Sequence, residues 1–149
     1  MAHNKKFGEF ATAVIAVTPQ TITSGGAGGS ALSASSINAT GYDRATFIFQ
    51  MGVPEGTSAY LSSGNLIWNA ATSGAAYTAI AGASFGTHLT TGVMSKANFV
   101  IDVDVNPSYP WLRVSASHMS STNTYAAICI LRSPQDMPPD SLSGQMVYI

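Results

Sequence analysis

Residues 99 to 105 read Phe99-Val100-Ile101-Asp102-Val103-Asp104-Val105, and this stretch decides the fold. Successive side chains of an extended strand point to opposite faces, so a period of two sorts the sequence into two surfaces. Phe99, Ile101, Val103 and Val105 fall on one face, while Asp102 and Asp104 fall on the other. A helix would scatter the same residues around its axis. The stretch therefore predicts a half-buried β-strand with its carboxylates in solvent.

The pattern recurs on both sides. In Ala45 to Met51, ATFIFQM, Phe47, Phe49 and Met51 share one face, and Thr46, Ile48 and Gln50 the other. Thr12 to Val17 is apolar and partly β-branched and stops at Pro19, with Thr21-Ile22-Thr23 beyond it. Ala59 to Leu61 and Leu66 to Trp68 flank a turn at Ser63-Gly64, and Tyr77 to Ile80, Trp111 to Ala116 and Tyr125 to Leu131 complete the set. The best helical candidate, Ala31 to Ile37, is serine-rich and lacks an apolar stripe. Strands separated by frequent turn residues predict an all-β, single-domain antiparallel β-sandwich, jelly-roll or Ig-like.

Both ends read as extended arms, dividing the chain into residues 1–10, a domain over 11–132 and a proline-containing segment over 133–149. The first arm carries Phe7 and Phe10. After Arg132, Pro134, Pro138 and Pro139 argue against a central strand, and the segment finishes on Met146-Val147-Tyr148-Ile149. Phe7, Phe10, Met146 and Tyr148 are the candidate contacts to a neighbouring subunit. Ten extended residues reach roughly 33 Å, enough to cross a subunit boundary.

Composition narrows the function. Only 13 of 149 residues are Asp, Glu, Lys or Arg, and Gly56 to Ser95 contains none. Ordinary soluble domains carry about 25% charged residues. Weakly charged surface is cheaply desolvated, so this composition predicts a surface covered by partners. The net charge of −1 and the scattered cations argue against nucleic acid, which requires clustered Lys and Arg. Cys129 is alone, within an apolar run, and reads as a buried thiol. No run approaches the roughly 20 apolar residues of a membrane span. Glu9 and the short apolar run Ala13 to Val17 argue against a signal peptide, which makes Asn38-Ala39-Thr40 loop sequence rather than a glycosylation site. The expectation is a soluble chain made in a cytoplasm.

Several motifs imitate catalytic or cofactor sites. Gly82-Ala83-Ser84-Phe85-Gly86 spells G-x-S-x-G, followed in chain order by Asp102, Asp104 and His118. A nucleophile elbow needs a buried strand running into a helix, and no βαβ alternation surrounds this one. Gly26-x-Gly28-x-x-Ala31 mimics a dinucleotide fingerprint, but Pro19 interrupts the approach and no helix follows; a surface loop is expected. His3, His88 and His118 lack metal-ligand spacing, and the only glutamates, Glu9 and Glu55, form no carboxylate pair. Tyr109-Pro110-Trp111 offers an aromatic patch for sugar stacking, with a core-packed Trp111 as the plainer reading. These residues predict no enzyme, no metal and no cofactor.

The order of short motifs resembles the head decoration, or cement, proteins of tailed bacteriophages. Gly41-Tyr42-Asp43-Arg44-Ala45-Thr46 opens a strand, Gly74-Ala75-Ala76-Tyr77-Thr78-Ala79-Ile80 follows a turn, and Trp111-Leu112-Arg113-Val114 precedes a closing hairpin. The resemblance covers residues 18 to 135. It departs from the family at Asn69 to Ser73, uncharged where the family is acidic, and in the longer segment beyond Pro139. It implies a structural protein on the capsid exterior, assembled as a homotrimer, whose partner is the major capsid protein and which bridges neighbouring capsid subunits of the DNA-filled head. The alternatives are a phage tail, connector or minor spike protein, and a carbohydrate-binding module using Tyr109 and Trp111.

Overall fold

In a computed structural model, the structure describes residues 11–23, 25–52, 60–61, 66–84, 98–120 and 122–134. Among the described residues eleven strands run in chain order: β1 (Ala11–Ile22), β2 (Gly25–Ala31), β3 (Ile37–Asn38), β4 (Tyr42–Met51), β5 (Tyr60–Leu61), β6 (Ile67–Ala70), β7 (Thr78–Ala79), β8 (Asn98–Asp104), β9 (Trp111–Val114), β10 (Ser117–Ser120) and β11 (Asn123–Pro134). Among the described residues there is no helix.

One sheet has the order β1-β11-β4-β8, and every pairing in it is antiparallel. The others, β2-β10-β5 and β3-β9-β6-β7, repeat a single order, because the chain passes from β2 to β3 and from β9 to β10. Two backbone bonds stitch them where they meet: Leu32 N–H donates to Ala116 O at 2.9 Å, and Ser115 N–H to Leu66 O at 2.8 Å. They are two parts of one bent sheet. Counting β2/β3, β5/β6 and β9/β10 each as one strand leaves eight. In chain order these eight lie 1-8-3-6 in the first sheet and 2-7-4-5 in the second, the double-wound order of a jelly roll.

The sheets close on one apolar cluster. Phe47, Phe49 and Met51 of β4, Ile101 and Val103 of β8, and Tyr125, Ala127, Cys129 and Leu131 of β11 meet Ile37, Ile67, Leu112 and Val114 from the second sheet. Phe47, Phe49, Met51, Ile101 and Val103 are residues that the alternation assigns to the inner face. At the edge, β1 changes register between Ile15 and Val17, and this bulge turns Ala16 and Val17 inward together. Ala16 O then accepts from Ser35 N–H at 3.0 Å, and the Gln20 side chain bonds both backbone groups of Ser33. This closes the first sheet against the start of the second.

Three details differ from the sequence reading. β1 continues through Pro19, which falls at its second register shift on an edge strand, where a missing N–H is tolerated. The glycine-rich stretch is a strand rather than a loop: Gly25–Ala31 pairs with β10, so the partner overrides a weak intrinsic preference. β11 runs two residues past Arg132 and ends at Pro134, opposite Tyr42.

Candidate interaction surface

Four strands in register build the outer face of the first sheet. Ile15 pairs with Ile128, Ile128 with Ile48, and Ile48 with Val100, so one aliphatic row crosses all four strands. Three of its members are open to solvent: Ile15 is 56% exposed, Ile128 43% and Val100 62%. At a strand spacing of about 4.8 Å the row is roughly 14 Å long. Single exposed aliphatics are ordinary, but a contiguous row across a whole sheet marks an interaction surface. The signal lay in the sequence as β-branched residues at solvent-side positions. Its alignment did not, because register between strands distant in sequence is not legible there.

Beyond this row lies an ionic cluster. Asp102 Oδ1 accepts from the Thr46 hydroxyl at 2.7 Å and from Arg132 Nη2 at 2.8 Å. Its Oδ2 accepts from Arg44 Nη2 at 2.6 Å and Nε at 3.0 Å, and Arg44 Nη1 also reaches Asp104 at 3.2 Å. Arg44 and Arg132 stand directly opposite each other, an unfavourable pairing that the two carboxylates neutralise. Partial burial works to raise the Asp102 pKa, but the bonds from Thr46, Arg132 and Arg44 outweigh it and hold the carboxylate below its usual range. The same carboxylates raise Arg44 above its ordinary value, chiefly through the Asp102 hydrogen bond. Two cations and two anions leave the cluster neutral.

The outer face of the second sheet is aromatic. Leu112 and Val114 point inward, so Trp111 and Arg113 point outward. Trp111 is therefore half-buried on an outer face, correcting the expectation of a core tryptophan. The Arg113 guanidinium lies 4.2 Å from the centre of the Tyr77 ring, and Tyr109, two residues before Trp111, is 48% exposed.

The motif residues are dispersed. Gly82 has φ 78° in the turn after β7, and Ala83 enters the core while its carbonyl accepts from Leu66 N–H at 2.7 Å. Ser84 follows in this turn. Both Asp102 oxygens accept bonds, from Thr46 and the two arginines. His118 contributes backbone to β10, pairing with Ser30 and Leu61. Among the described residues no three His, Cys, Asp or Glu side chains gather to hold a metal ion, and no helix is long and apolar enough to cross a membrane. Cys129 is fully buried, and burial pushes its thiol up to about 12. The candidate contacts Phe7, Phe10, Met146 and Tyr148 lie outside the described residues.

Fold and surface together define a jelly-roll domain with an exposed aliphatic face on one sheet and an aromatic face on the other. No protein-family model matches the chain, and no curated protein matches it. Among solved structures it is similar to a chain in the structure of infectious bursal disease virus Gx strain, at 13% identity and a TM-score of 0.47 over 85% of this chain. The match spans about a third (34%) of that neighbour's own length.

Proposed function

We propose that this chain is a structural, non-enzymatic virion protein, a decoration or cement subunit that binds the outside of a bacteriophage capsid. The observation that carries this reading is the aliphatic row Ile15–Ile128–Ile48–Val100, three of its four members exposed, on a chain with 9% charged residues. The resemblance over residues 18 to 135 supports it. The task is mechanical: add contact area where shell subunits meet, so that pressure from packed DNA does not part them. A standard interface buries about 1,600 Å². Repetition over the shell multiplies its effect, because opening one seam breaks several bridges at once. In this reading the protein is a homotrimer, its partner is the major capsid protein, and Phe7, Phe10, Met146 and Tyr148 anchor its arms on adjacent subunits.

Quantitative mass spectrometry of purified particles tests the proposal. A copy number close to that of the main shell subunit is the expected result. A handful of copies assigns the chain to the tail, connector or a minor spike, and absence from the particle overturns the virion reading.

The outward Trp111 and exposed Tyr109 favour one second reading, a carbohydrate-binding module that stacks sugar rings on aromatic faces. Its test is glycan binding by the isolated protein, abolished by Trp111→Ala while the fold is retained.

A further inference from the structure

We infer that the outer face of the second sheet binds an acidic saccharide, with Arg113 taking its carboxylate or sulfate and the neighbouring aromatic rings taking its sugar rings. The inference rests on the glycan-binding reading above and names the class of ligand. Arg44 and Arg132 are each paired with a carboxylate. Among the described residues Arg113, half-buried on β9, has no such partner; its guanidinium lies over the Tyr77 ring instead, 4.2 Å from the centre. A cation–π contact draws on the positive charge and uses none of the N–H donors as hydrogen bonds. Those donors form a planar fork that matches a carboxylate or sulfate with two parallel bonds. The ring thus holds the cation in place while its fork still wants an anion.

The surroundings suit a saccharide. Trp111 stands two residues before Arg113 on the same face of β9, and Trp68 stands directly opposite Arg113 on β6, so two indoles flank the guanidinium. Sugar rings carry apolar C–H faces that pack on flat aromatic rings, and hydroxyls that need polar groups beside them. A cleft of about 220 Å³ next to Arg113, lined by Ala31, Leu32, Ala34, Ser115 and Ser117, supplies such groups. It opens because the chain between β2 and β3 leaves β9 for β1: Ala34 bridges Val17, and Ser35 N–H donates to Ala16 O at 3.0 Å. On this side of β9, Pro110 O accepts from Ala39 N–H and Ala116 O from Leu32 N–H. Backbone groups alternate sides along a strand, so the N–H and C=O of Val114 point the same way, into the cleft. A lone cation on a chain of net charge −1 fits a single acidic group rather than a polyphosphate backbone. The face belongs to the sheet opposite the aliphatic row, so docking through that row leaves it open.

An array carrying neutral oligosaccharides beside the same cores bearing a uronic acid, a sialic acid or a sulfate tests this with the full chain. The wild type is expected to bind an acidic glycan about tenfold or more above its neutral parent, since the charge-assisted pair is absent from the parent. Carboxylated and sulfated spots show which anion the fork takes. Arg113→Gln should erase the preference while binding of the neutral parent persists. Arg113→Lys, which keeps the charge without the fork, should reduce the preference less, and it serves as the second variant if Arg113→Gln melts early. Trp111→Ala should weaken acidic and neutral glycans alike. Equal binding of acidic and neutral glycans, or a preference that survives Arg113→Gln in a folded variant, overturns the inference and leaves the glycan-binding reading standing. Retention of no glycan at all sinks both. A polyglutamate peptide that binds as tightly as the best acidic glycan overturns the saccharide assignment.

Discussion

Arg132 on β11 and Asp102 on β8 are bonded at 2.8 Å although β4 lies between their strands. The guanidinium reaches across a full strand to a carboxylate that Thr46 and Arg44 already hold from β4. One carboxylate therefore ties three strands together on the solvent side, opposite the core residues Phe47 and Ile101.

Asp102→Asn should cost on the order of 1 kcal/mol, since partly exposed ion pairs are screened by solvent. The variant should also change the pH dependence. A carboxylate whose folded pKa lies below its unfolded value stabilises the fold above the ordinary value of 3.8, and that stability is lost as pH falls through the depressed folded pKa. Wild-type stability should therefore drop on acidification below that point, and the variant's curve should be flatter there. Denaturant melts across this range measure the difference.

Cys129 should not react with iodoacetamide in the native protein, because burial both blocks access and suppresses the thiolate. One equivalent should be taken up in denaturant. Native-state labelling at a rate near that of a free thiol would contradict the packing around it.

Phe47 stands opposite Cys129 in the sheet and has no solvent exposure. Phe47→Ala should cost about 3–5 kcal/mol through lost burial and the cavity left behind. Labelling of Cys129 should accelerate in step with the lost stability.

Gly41 closes the turn between β3 and β4, where Tyr42 N–H donates to Ala39 O at 3.1 Å, and its φ is 83°. A Cβ there would meet no atom within 4 Å, so Gly41→Ala should cost only the left-handed backbone penalty, about 1–2 kcal/mol. Gly41→Asn should cost less, since Asn tolerates this conformation. Thermal melts rank the two.

Deleting residues 1–10 leaves the described strand β1, Ala11–Ile22, in place. On the proposed function, the shortened protein should fold and bind heads poorly. Undiminished head occupancy would discount Phe7 and Phe10 as anchors.

The alternation in FVIDVDV and ATFIFQM was enough to give the all-β class and the inner faces of β8 and β4, because strand side chains obey a local period of two. It also placed Asp102 and Asp104 in solvent and Cys129 in the core. The sequence did not reveal that Gly25–Ala31 is a strand, since glycine carries little preference of its own and β10 supplies the pairing. Nor did it show that Trp111 faces outward, because its neighbours Leu112 and Val114 decide which side of β9 is buried. Above all, Ile15, Ile128, Ile48 and Val100 are separated by tens of residues along the chain, and nothing local aligns them. Only the antiparallel registers of β1, β11, β4 and β8 bring them into one row and Arg132 within reach of Asp102. Local periodicity fixes which face of a strand is apolar; long-range pairing fixes which strands lie side by side, and so which exposed residues form a surface.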